Sequence, residues 1–196
     1  MKIVISEFMS LDGVVQAPGG AEEDSDGGFT HGGWSHPYFD VEVMGSAIDE
    51  GSSRTEALLY GRRTFEVMAS AWPERAGDPF ADWINGVEKH VVTDTLQASD
   101  ITWGPTSIIR GADLTAAINT LRERPGGEVN VMGSSQLVRS LLADDLVDEM
   151  NLMIEPIVLG GGKSIFPTDG EARPFRLVSA VTAKTGVQIC RYERVR

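Results

Sequence analysis

The segment from residue 128 to residue 143 constrains the fold of this chain more than any other. A short apolar stretch, residues 128–132, runs into Gly133, then Ser134 and Ser135, and then an amphipathic pattern over residues 135–143. This order is typical of a strand that turns sharply into a helix and leaves bare backbone N–H groups at the helix start. Such a turn can bind an anion, for example the pyrophosphate of a dinucleotide. The other interpretation is a tight strand-to-helix turn with a capping serine.

A second turn of the same kind follows the apolar residues 56–60. Gly61 is followed there by Arg62, Arg63 and Thr64, which begin a helical pattern. Arginine pairs with phosphate oxygens, and two arginines at a helix start oppose the helix dipole unless an anion offsets them. Two exposed arginines without a ligand are the alternative. The two turns together favour a nucleotide site.

Strand and helix patterns alternate along most of the chain. We expect strands at residues 2–9, 56–60, 89–93, 106–110, 128–132 and 148–159, and helices at residues 38–48, 64–68 and onward to Pro73, 80–86, 114–124 (capped by Asp113) and 135–143. A hairpin is expected from residues 175–183 and 187–194 around the turn at 184–186. This order predicts one α/β domain, residues 1–196, with a mostly parallel sheet that helices cover on both faces.

Composition argues against several classes of function. The formal net charge of −12 disfavours a nucleic-acid or anionic-membrane surface. No apolar run approaches the roughly 20 residues that span a bilayer, and the first residues have the pattern of a strand rather than of a signal peptide. Cys190, the only cysteine, lies in an apolar strand pattern, so we expect a buried thiol and a cytoplasmic protein.

Residues 17–33 lack periodicity and are rich in glycine and acidic residues, which predicts a long surface loop. Its acidic stretch, residues 22–26, is interpreted as solvated, although long loops are often binding elements. His31, His36 and Asp40 follow closely, but their spacing matches no standard ligand set, so no metal site is expected.

Residues 159–164 contain three consecutive glycines followed by Lys163. The segment does not match a phosphate-binding loop, because Ile157 stands where the first glycine is needed and Pro167 interrupts the helix that such a loop requires. We expect a glycine turn with one lysine, which either lines a ligand site or is a tight connection.

Four segments, in this order along the chain, carry a family resemblance. They are residues 9–13 (MSLDG), 59–66 (LYGRRTFE), 131–137 (VMGSSQL) and 149–167 (EMNLMIEPIVLGGGKSIFP). On these segments the chain resembles the dihydrofolate reductase superfamily, and especially the branch that includes the C-terminal reductase domain of bacterial bifunctional riboflavin-biosynthesis deaminase-reductases. The resemblance implies a three-layer α/β/α fold with a mostly parallel central sheet, an antiparallel C-terminal hairpin, and NADPH as hydride donor. The deaminase zinc motif needs more than one cysteine, so only the reductase domain is expected.

The resemblance also implies which residues bind the cofactor. The Gly133 turn would bind the pyrophosphate, and the Gly61 turn would bind the adenosine-side phosphates. The adenine ribose would lie at the end of the third strand, and the nicotinamide at the end of the first strand. The implied residues are Leu11, Gly13, Gly61, Arg62, Arg63, Thr64, Thr93, Gly133, Ser134 and Ser135. Asp94 follows Thr93 where the family commonly has serine or a basic residue, and a carboxylate there would repel a 2′-phosphate. NADH is therefore an alternative to NADPH as the cofactor.

Substrate residues are matched less closely. In dihydrofolate reductases proper an acidic residue a few positions after a tryptophan contacts the pterin, and Trp34 and Asp40 have a similar but not identical spacing. We take Asp40 and Asp12 as candidate proton donors. Trp34, Phe39 and Lys163 are candidate substrate contacts. The 17–33 loop is longer than in those enzymes, which argues against folate.

The predicted function is an NADPH-dependent reductase. Its acceptor is a small heterocycle (pterin- or pyrimidine-like), an imine or a carbonyl compound, with 5-amino-6-(5-phosphoribosylamino)uracil as one candidate. If a protein acid delivers the proton, burial should raise its pKa. The alternatives are a non-catalytic nucleotide-binding or regulatory protein that keeps the fold, and a structural protein without a ligand. The resemblance suggests a homodimer, with residues 148–159 and the hairpin as candidate interface.

Overall fold

The computed structural model describes residues 1–75 and 77–196, which form eight strands and five α-helices. The strands are β1 (Lys2–Ser10), β2 (Thr55–Gly61), β3 (Glu88–Val92), β4 (Thr106–Ile109), β5 (Glu128–Val131), β6 (Glu149–Glu155), β7 (Phe175–Thr182) and β8 (Gln188–Arg194). They make one sheet in the order β4-β3-β2-β5-β1-β6-β8-β7. Neighbouring strands from β4 to β6 are parallel, and β8 and β7 join antiparallel. The predicted mostly parallel sheet with a C-terminal hairpin is confirmed.

The helices are α1 (Val43–Arg54), α2 (Arg62–Ala71), α3 (Pro79–Gly86), α4 (Leu114–Glu123) and α5 (Ser135–Ala143). On one face of the sheet, apolar residues of β1, β2 and β5 pack with Ile118 of α4 and Leu141 of α5. On the other face, residues of β2 and β3 pack with Phe65 of α2 and Ile84 of α3, while Met44 of α1 belongs to a cluster that includes β1 and β6 residues. The result is a three-layer α/β fold. Within the described part of the chain, no helix has the length and apolar character needed to cross a membrane.

Three element boundaries differ from the sequence expectation for local reasons. The sixth strand ends at Glu155 rather than at residue 159, because Pro156 follows and cannot donate a ladder hydrogen bond. The first helix begins at Val43 rather than at residue 38, since residues 36–38 form a separate 3₁₀ turn. Asp113 makes no side-chain capping bond among the described residues, because a 3₁₀ turn leads directly into α4.

Buried carboxylates in the sheet fall into two groups. Glu149 is ion-paired with Lys2 and Arg191, and Glu128 is ion-paired with Arg54 at 2.8 Å. Glu7, in the middle of β1, differs because its buried Oε1 has no hydrogen-bond partner within the described residues. Burial, with a smaller contribution from the charge of Glu23, raises the pKa of Glu7 to about 8. Glu7 is therefore protonated in the folded protein at neutral pH.

We expect Glu7→Gln to stabilise the protein at alkaline pH and to change little at about pH 5. The folded state holds the Glu7 proton up to about pH 8, whereas the unfolded chain releases it near 4.5, so wild-type stability falls as pH rises between these values. The amide removes this loss, which linkage puts on the order of 4 kcal/mol between about pH 5 and pH 8.5. Urea unfolding at about pH 5 and pH 8.5 measures the difference. Glu22→Gln, on an exposed part of the loop, is the control, and an unchanged pH dependence in Glu7→Gln would contradict the assignment.

Candidate functional site

The two turns singled out by the sequence interlock at the carboxyl edge of the sheet. Strands β2 and β5 are parallel neighbours, so their ends meet, and the Gly61 N–H donates to the Gly133 carbonyl at 3.2 Å. A Cβ on Gly61 would overlap the Ser134 hydroxyl, and one on Gly133 would lie 3.0 Å from Thr64 Oγ1. Gly133 also has a φ of +89°, which favours glycine. The peptide bond between Gly133 and Ser134 is cis.

Two helices begin at this contact. Helix α2 starts at Arg62 and α5 at Ser135, and within the described structure neither N-terminus receives a side-chain capping hydrogen bond. The first backbone N–H groups of both helices are thus left without side-chain acceptors, and both helix dipoles place partial positive charge there. The arrangement can bind an anion with two phosphate groups.

Thr93 lies on the neighbouring strand end. Val92 pairs with Gly61, which sets the residues after β3 beside the start of α2. Thr93 Oγ1 accepts from the backbone N–H groups of Thr95 and Leu96, both at 3.2 Å, so this side chain holds the turn. The structure therefore brings Thr93 and both glycine turns to one edge, as the resemblance implied.

The two arginines of α2 have different partners. Arg62 is ion-paired with Glu66 one turn later, at 2.9 Å. Arg63 is ion-paired with Asp26 of the long loop. Both guanidinium groups remain partly exposed and accessible to a ligand.

The acidic stretch of residues 22–26 is not simply solvated, and that prediction was wrong. Lys163 Nζ lies 2.6 Å from Asp24 Oδ2 and 3.0 Å from Asp26 Oδ2, and Asp26 also meets Arg63. Opposite charges on the loop, on the glycine turn of residues 159–164 and on α2 bring these three segments together. Asp26 thus links the start of α2 to the glycine turn.

Gln16 is hydrogen-bonded both to this loop and to Lys163. Its side-chain Nε2 donates to the carbonyls of Asp24 and Asp26, both at 3.0 Å, and its Oε1 accepts from Lys163 N–H at 3.1 Å. The Trp34 indole N–H donates to the Gln16 carbonyl at 2.7 Å. The predicted surface loop is therefore packed at both ends, and with the glycine turn it lines a cavity of about 590 Å³.

Not every predicted substrate contact is available to a ligand. Trp34 is buried within the loop, which argues against its predicted role as a substrate contact, whereas Phe39 is 42% exposed. Lys163 lines the cavity but is held by the two loop carboxylates. At the expected nicotinamide end, Leu11 is exposed and Gly13 has a φ of +81° in the turn after β1.

The two predicted proton donors are both ionised at neutral pH. The hydrogen bond from Ser10 Oγ, at 2.6 Å, and those from the N–H groups of Leu159 and Gly160 lower the pKa of Asp12 to about 2. Asp40 accepts from Val43 N–H at 3.0 Å, and this bond is the main cause of its lowered pKa. Each carboxylate holds a turn and has no proton to give, which argues against the predicted roles.

Sequence reasoning missed one carboxyl group at this edge. Glu155, the last residue of β6, is fully buried, and Ser35 Oγ donates to its Oε1 at 2.5 Å. Burial raises the pKa of Glu155 to about 7, although the Ser35 hydroxyl lowers it. The signal available in the sequence was an acidic residue closing a strand whose other residues are mostly apolar.

Residues 1–189 match the sequence model of the RibD C-terminal domain. The chain belongs to the RibD C-terminal domain family. A Bacillus subtilis (strain 168) relative, the uncharacterized protein YyaP, is 24% identical over 195 residues, which cover 95% of this chain and 91% of YyaP. The family assignment agrees with the resemblance drawn from the four motifs.

Solved structures share the fold of this chain. A Shewanella sp. PV-4 protein assigned to riboflavin biosynthesis is 19% identical, with a TM-score of 0.67 and 100% of both chains covered. Dihydrofolate reductase from Enterococcus faecalis, solved with NADP(H), is 14% identical, with a TM-score of 0.61 and 100% and 97% coverage. At these identities the comparison establishes the dihydrofolate reductase-like fold.

We expect Gly61→Ala to lower stability by roughly 1–3 kcal/mol, because its Cβ would displace Ser134 from the interlocked turns. A Gly61→Ala/Ser134→Gly double variant lacks the Ser134 Cβ and hydroxyl group that collide with the new side chain at position 61. Most of the lost stability should therefore be recovered. Thermal unfolding of the single and double variants measures this. Gly45→Ala is the control, since a Cβ there meets nothing within 4 Å. Equal effects of Gly61→Ala and Gly45→Ala would contradict the close approach.

Proposed function

We propose that this protein is an NADPH-dependent reductase that transfers a hydride to a small heterocyclic, imine or carbonyl acceptor. The observation that carries the proposal is the pair of interlocked helix N-termini at Gly61 and Gly133, in a chain of the RibD C-terminal domain family. A protein that shares this fold, dihydrofolate reductase from Enterococcus faecalis, is a reductase that was solved with NADP(H). A pterin- or pyrimidine-like acceptor, including one like 5-amino-6-(5-phosphoribosylamino)uracil, is the proposed substrate class.

The residues at this edge fit a nicotinamide dinucleotide. Backbone N–H groups at the start of α5, with Ser134 and Ser135, would hold the pyrophosphate. Glycine at positions 61 and 133 lets the two helix starts approach each other closely. Arg62, Arg63 and Thr64 would hold the adenosine-side phosphates, beside Thr93. When bound near Leu11 and Gly13, the reduced nicotinamide supplies the hydride, and the protein supplies orientation and exclusion of water.

Asp94 bears on the choice between NADPH and NADH. Its Oδ1 accepts from the Gly111 N–H at 2.9 Å, so the carboxylate is held by the turn that precedes α4. This hydrogen bond offsets part of the repulsion that a 2′-phosphate would meet there. We propose NADPH, with NADH as the competing cofactor that a direct comparison would reveal.

Asp26 and an anionic cofactor compete for Arg63. The ion pair between Asp26 and Arg63 is about half exposed on both sides, so its strength is on the order of 0.2–1 kcal/mol. A phosphate group can displace a carboxylate held that weakly. Cofactor binding would then leave Asp26 paired with Lys163, its other partner, and no longer with Arg63.

A non-catalytic nucleotide-binding or regulatory protein is the second candidate function. It is favoured by one observation, the ionised state of both predicted proton donors, Asp12 and Asp40. Oxidation of NADPH in the presence of a pterin, quinone or carbonyl acceptor would separate it from a reductase.

We also propose a homodimer, formed through the hairpin part of the expected interface and not through residues 148–159. Strand β6 lies inside the sheet between β1 and β8, so it offers no edge to a partner. Strand β7 is the edge strand, and Leu177, Val178 and Val181 on it are exposed apolar residues. Exposed apolar edges of this kind are covered in most proteins.

We expect the protein to bind NADPH, and Asp26→Asn to tighten that binding about two- to fivefold, because Arg63 loses its internal competitor. Arg63→Ala should weaken binding and abolish the effect of Asp26→Asn. Nicotinamide fluorescence titrations with NADPH and NADH measure these changes.

Asp24→Asn is the matched control for this test. Asp24 belongs to the same acidic stretch and pairs with Lys163, whereas Asp26 meets both Lys163 and Arg63. The expected effect of Asp24→Asn is therefore smaller. Failure of the wild-type protein to bind either nucleotide would overturn the proposed function, and weaker binding by Asp26→Asn would overturn the competition.

A further inference from the structure

Glu155 lies at the edge of the sheet where a ligand would bind. It is the last residue of β6 and pairs with Ser10, the last residue of β1, two positions before Asp12. In open α/β sheets the carboxyl ends of parallel strands form the ligand crevice. The position therefore places a carboxyl group next to the proposed nicotinamide end of the site.

The surroundings of Glu155 keep it neutral. It is 0% exposed, and within the described structure no lysine or arginine is ion-paired with it. Ser35 Oγ holds Oε1 at 2.5 Å, while the buried Oε2 has no partner among the described residues. An isolated buried carboxylate is unfavourable, so burial favours the form of Glu155 that carries a proton on its free oxygen. Oε2–H is thus a hydrogen-bond donor without an acceptor.

Charged groups on the neighbouring segments are already engaged. Asp12 is held by Ser10 and the glycine turn, and Lys184, in the turn between β7 and β8, is ion-paired with Glu42. His36 follows Ser35 in sequence. None of these contributes to the raised pKa of Glu155, which burial causes and the Ser35 hydroxyl opposes.

We propose that Glu155 is the acid that delivers the proton to the acceptor, with Ser35 as the residue that positions it. This inference rests on the proposed reductase function. Reduction of a C=N or C=O bond adds a hydride to carbon, taken from the reduced nicotinamide, and a proton to nitrogen or oxygen. The Glu155 O–H bond breaks as the new N–H or O–H bond forms, and the carboxylate then regains a proton from water.

Access to Glu155 depends on the long loop rather than on the sheet. Ser35, which meets the carboxyl group, is attached to the loop through its own N–H, which donates to the Pro18 carbonyl at 3.2 Å. This segment is not paired with any strand of the sheet among the described residues. An acceptor would reach the carboxyl group through displacement of this segment, which carries Ser35.

Infrared spectra of the carboxylic-acid carbonyl stretch test the protonation state without any substrate. We expect the wild-type protein to show buried carboxylic acids that titrate near pH 7 and pH 8. Glu155→Gln should remove the first, and Glu7→Gln should remove the second. Glu7 is the matched control because it is a partly buried carboxyl, with its Oε1 unpaired among the described residues, on the opposite face of the sheet. Absence of any change in Glu155→Gln would overturn the proposal.

Single-turnover kinetics test the role in proton delivery. NADPH-loaded protein is mixed with a dihydropterin, a quinone and an aldehyde in turn, from about pH 5 to pH 9. We expect the wild-type rate to fall about tenfold per pH unit above about 7. Glu155→Gln should be about 100-fold slower with a flat profile, Glu155→Asp should restore part of the rate and a pH-dependent fall, and Glu7→Gln should keep the wild-type profile.

The outcomes separate this inference from the proposed function. If NADPH does not bind, the proposed function fails first. If the wild-type protein turns over and Glu155→Gln keeps the same rate and profile, only the role of Glu155 is overturned. If NADPH binds but none of the three acceptors is reduced, the role of Glu155 falls and the non-catalytic alternative is supported.

Discussion

The close approach of the Gly61 and Gly133 turns is the contact on which the rest of the site depends. It forms because β2 and β5 are parallel neighbours that end at the same level, and because neither glycine has a Cβ to hold the turns apart. Two helix N-termini consequently begin side by side, and their dipoles add at one point. A protein with a net charge of −12 can bind an anion there, since local N–H groups and arginines dominate at short range.

The negative charge of the protein is arranged around this site in two ways. Asp24 and Asp26 neutralise Lys163 and Arg63 from the loop, in partly exposed ion pairs that a ligand phosphate can replace. Glu155, in contrast, is buried without a paired cation among the described residues, and burial raises its pKa to about 7. In the proposed reductase, the exposed carboxylates would compete with the anionic cofactor for Arg63 and Lys163, and the buried carboxyl group would supply the proton.

Local patterns predicted the elements better than they predicted the side chains of the site. Periodicity located α5 at Ser135–Ala143, and the glycine-containing turn located the C-terminal hairpin, because these signals are confined to neighbouring residues. Glu155 and Ser35 are 120 residues apart, and Arg63 and Asp26 meet only when α2 lies against the long loop. Nothing in the spacing of residues 22–26 distinguishes a solvated stretch from one that is ion-paired. The positions of Asp12 and Asp40 in the sequence suggest proton donors, whereas the hydrogen bonds that keep these carboxylates ionised come largely from the folded turns.

A crystal structure of the protein with NADP⁺ tests the central claim, that the carboxyl edge between β2 and β5 is a dinucleotide site. We expect pyrophosphate oxygens to accept from backbone N–H groups at the start of α5, and Arg63 to have left Asp26 for a phosphate group. A dinucleotide bound away from Gly61 and Gly133, or an Arg63–Asp26 ion pair that persists with the cofactor in place, would contradict the account.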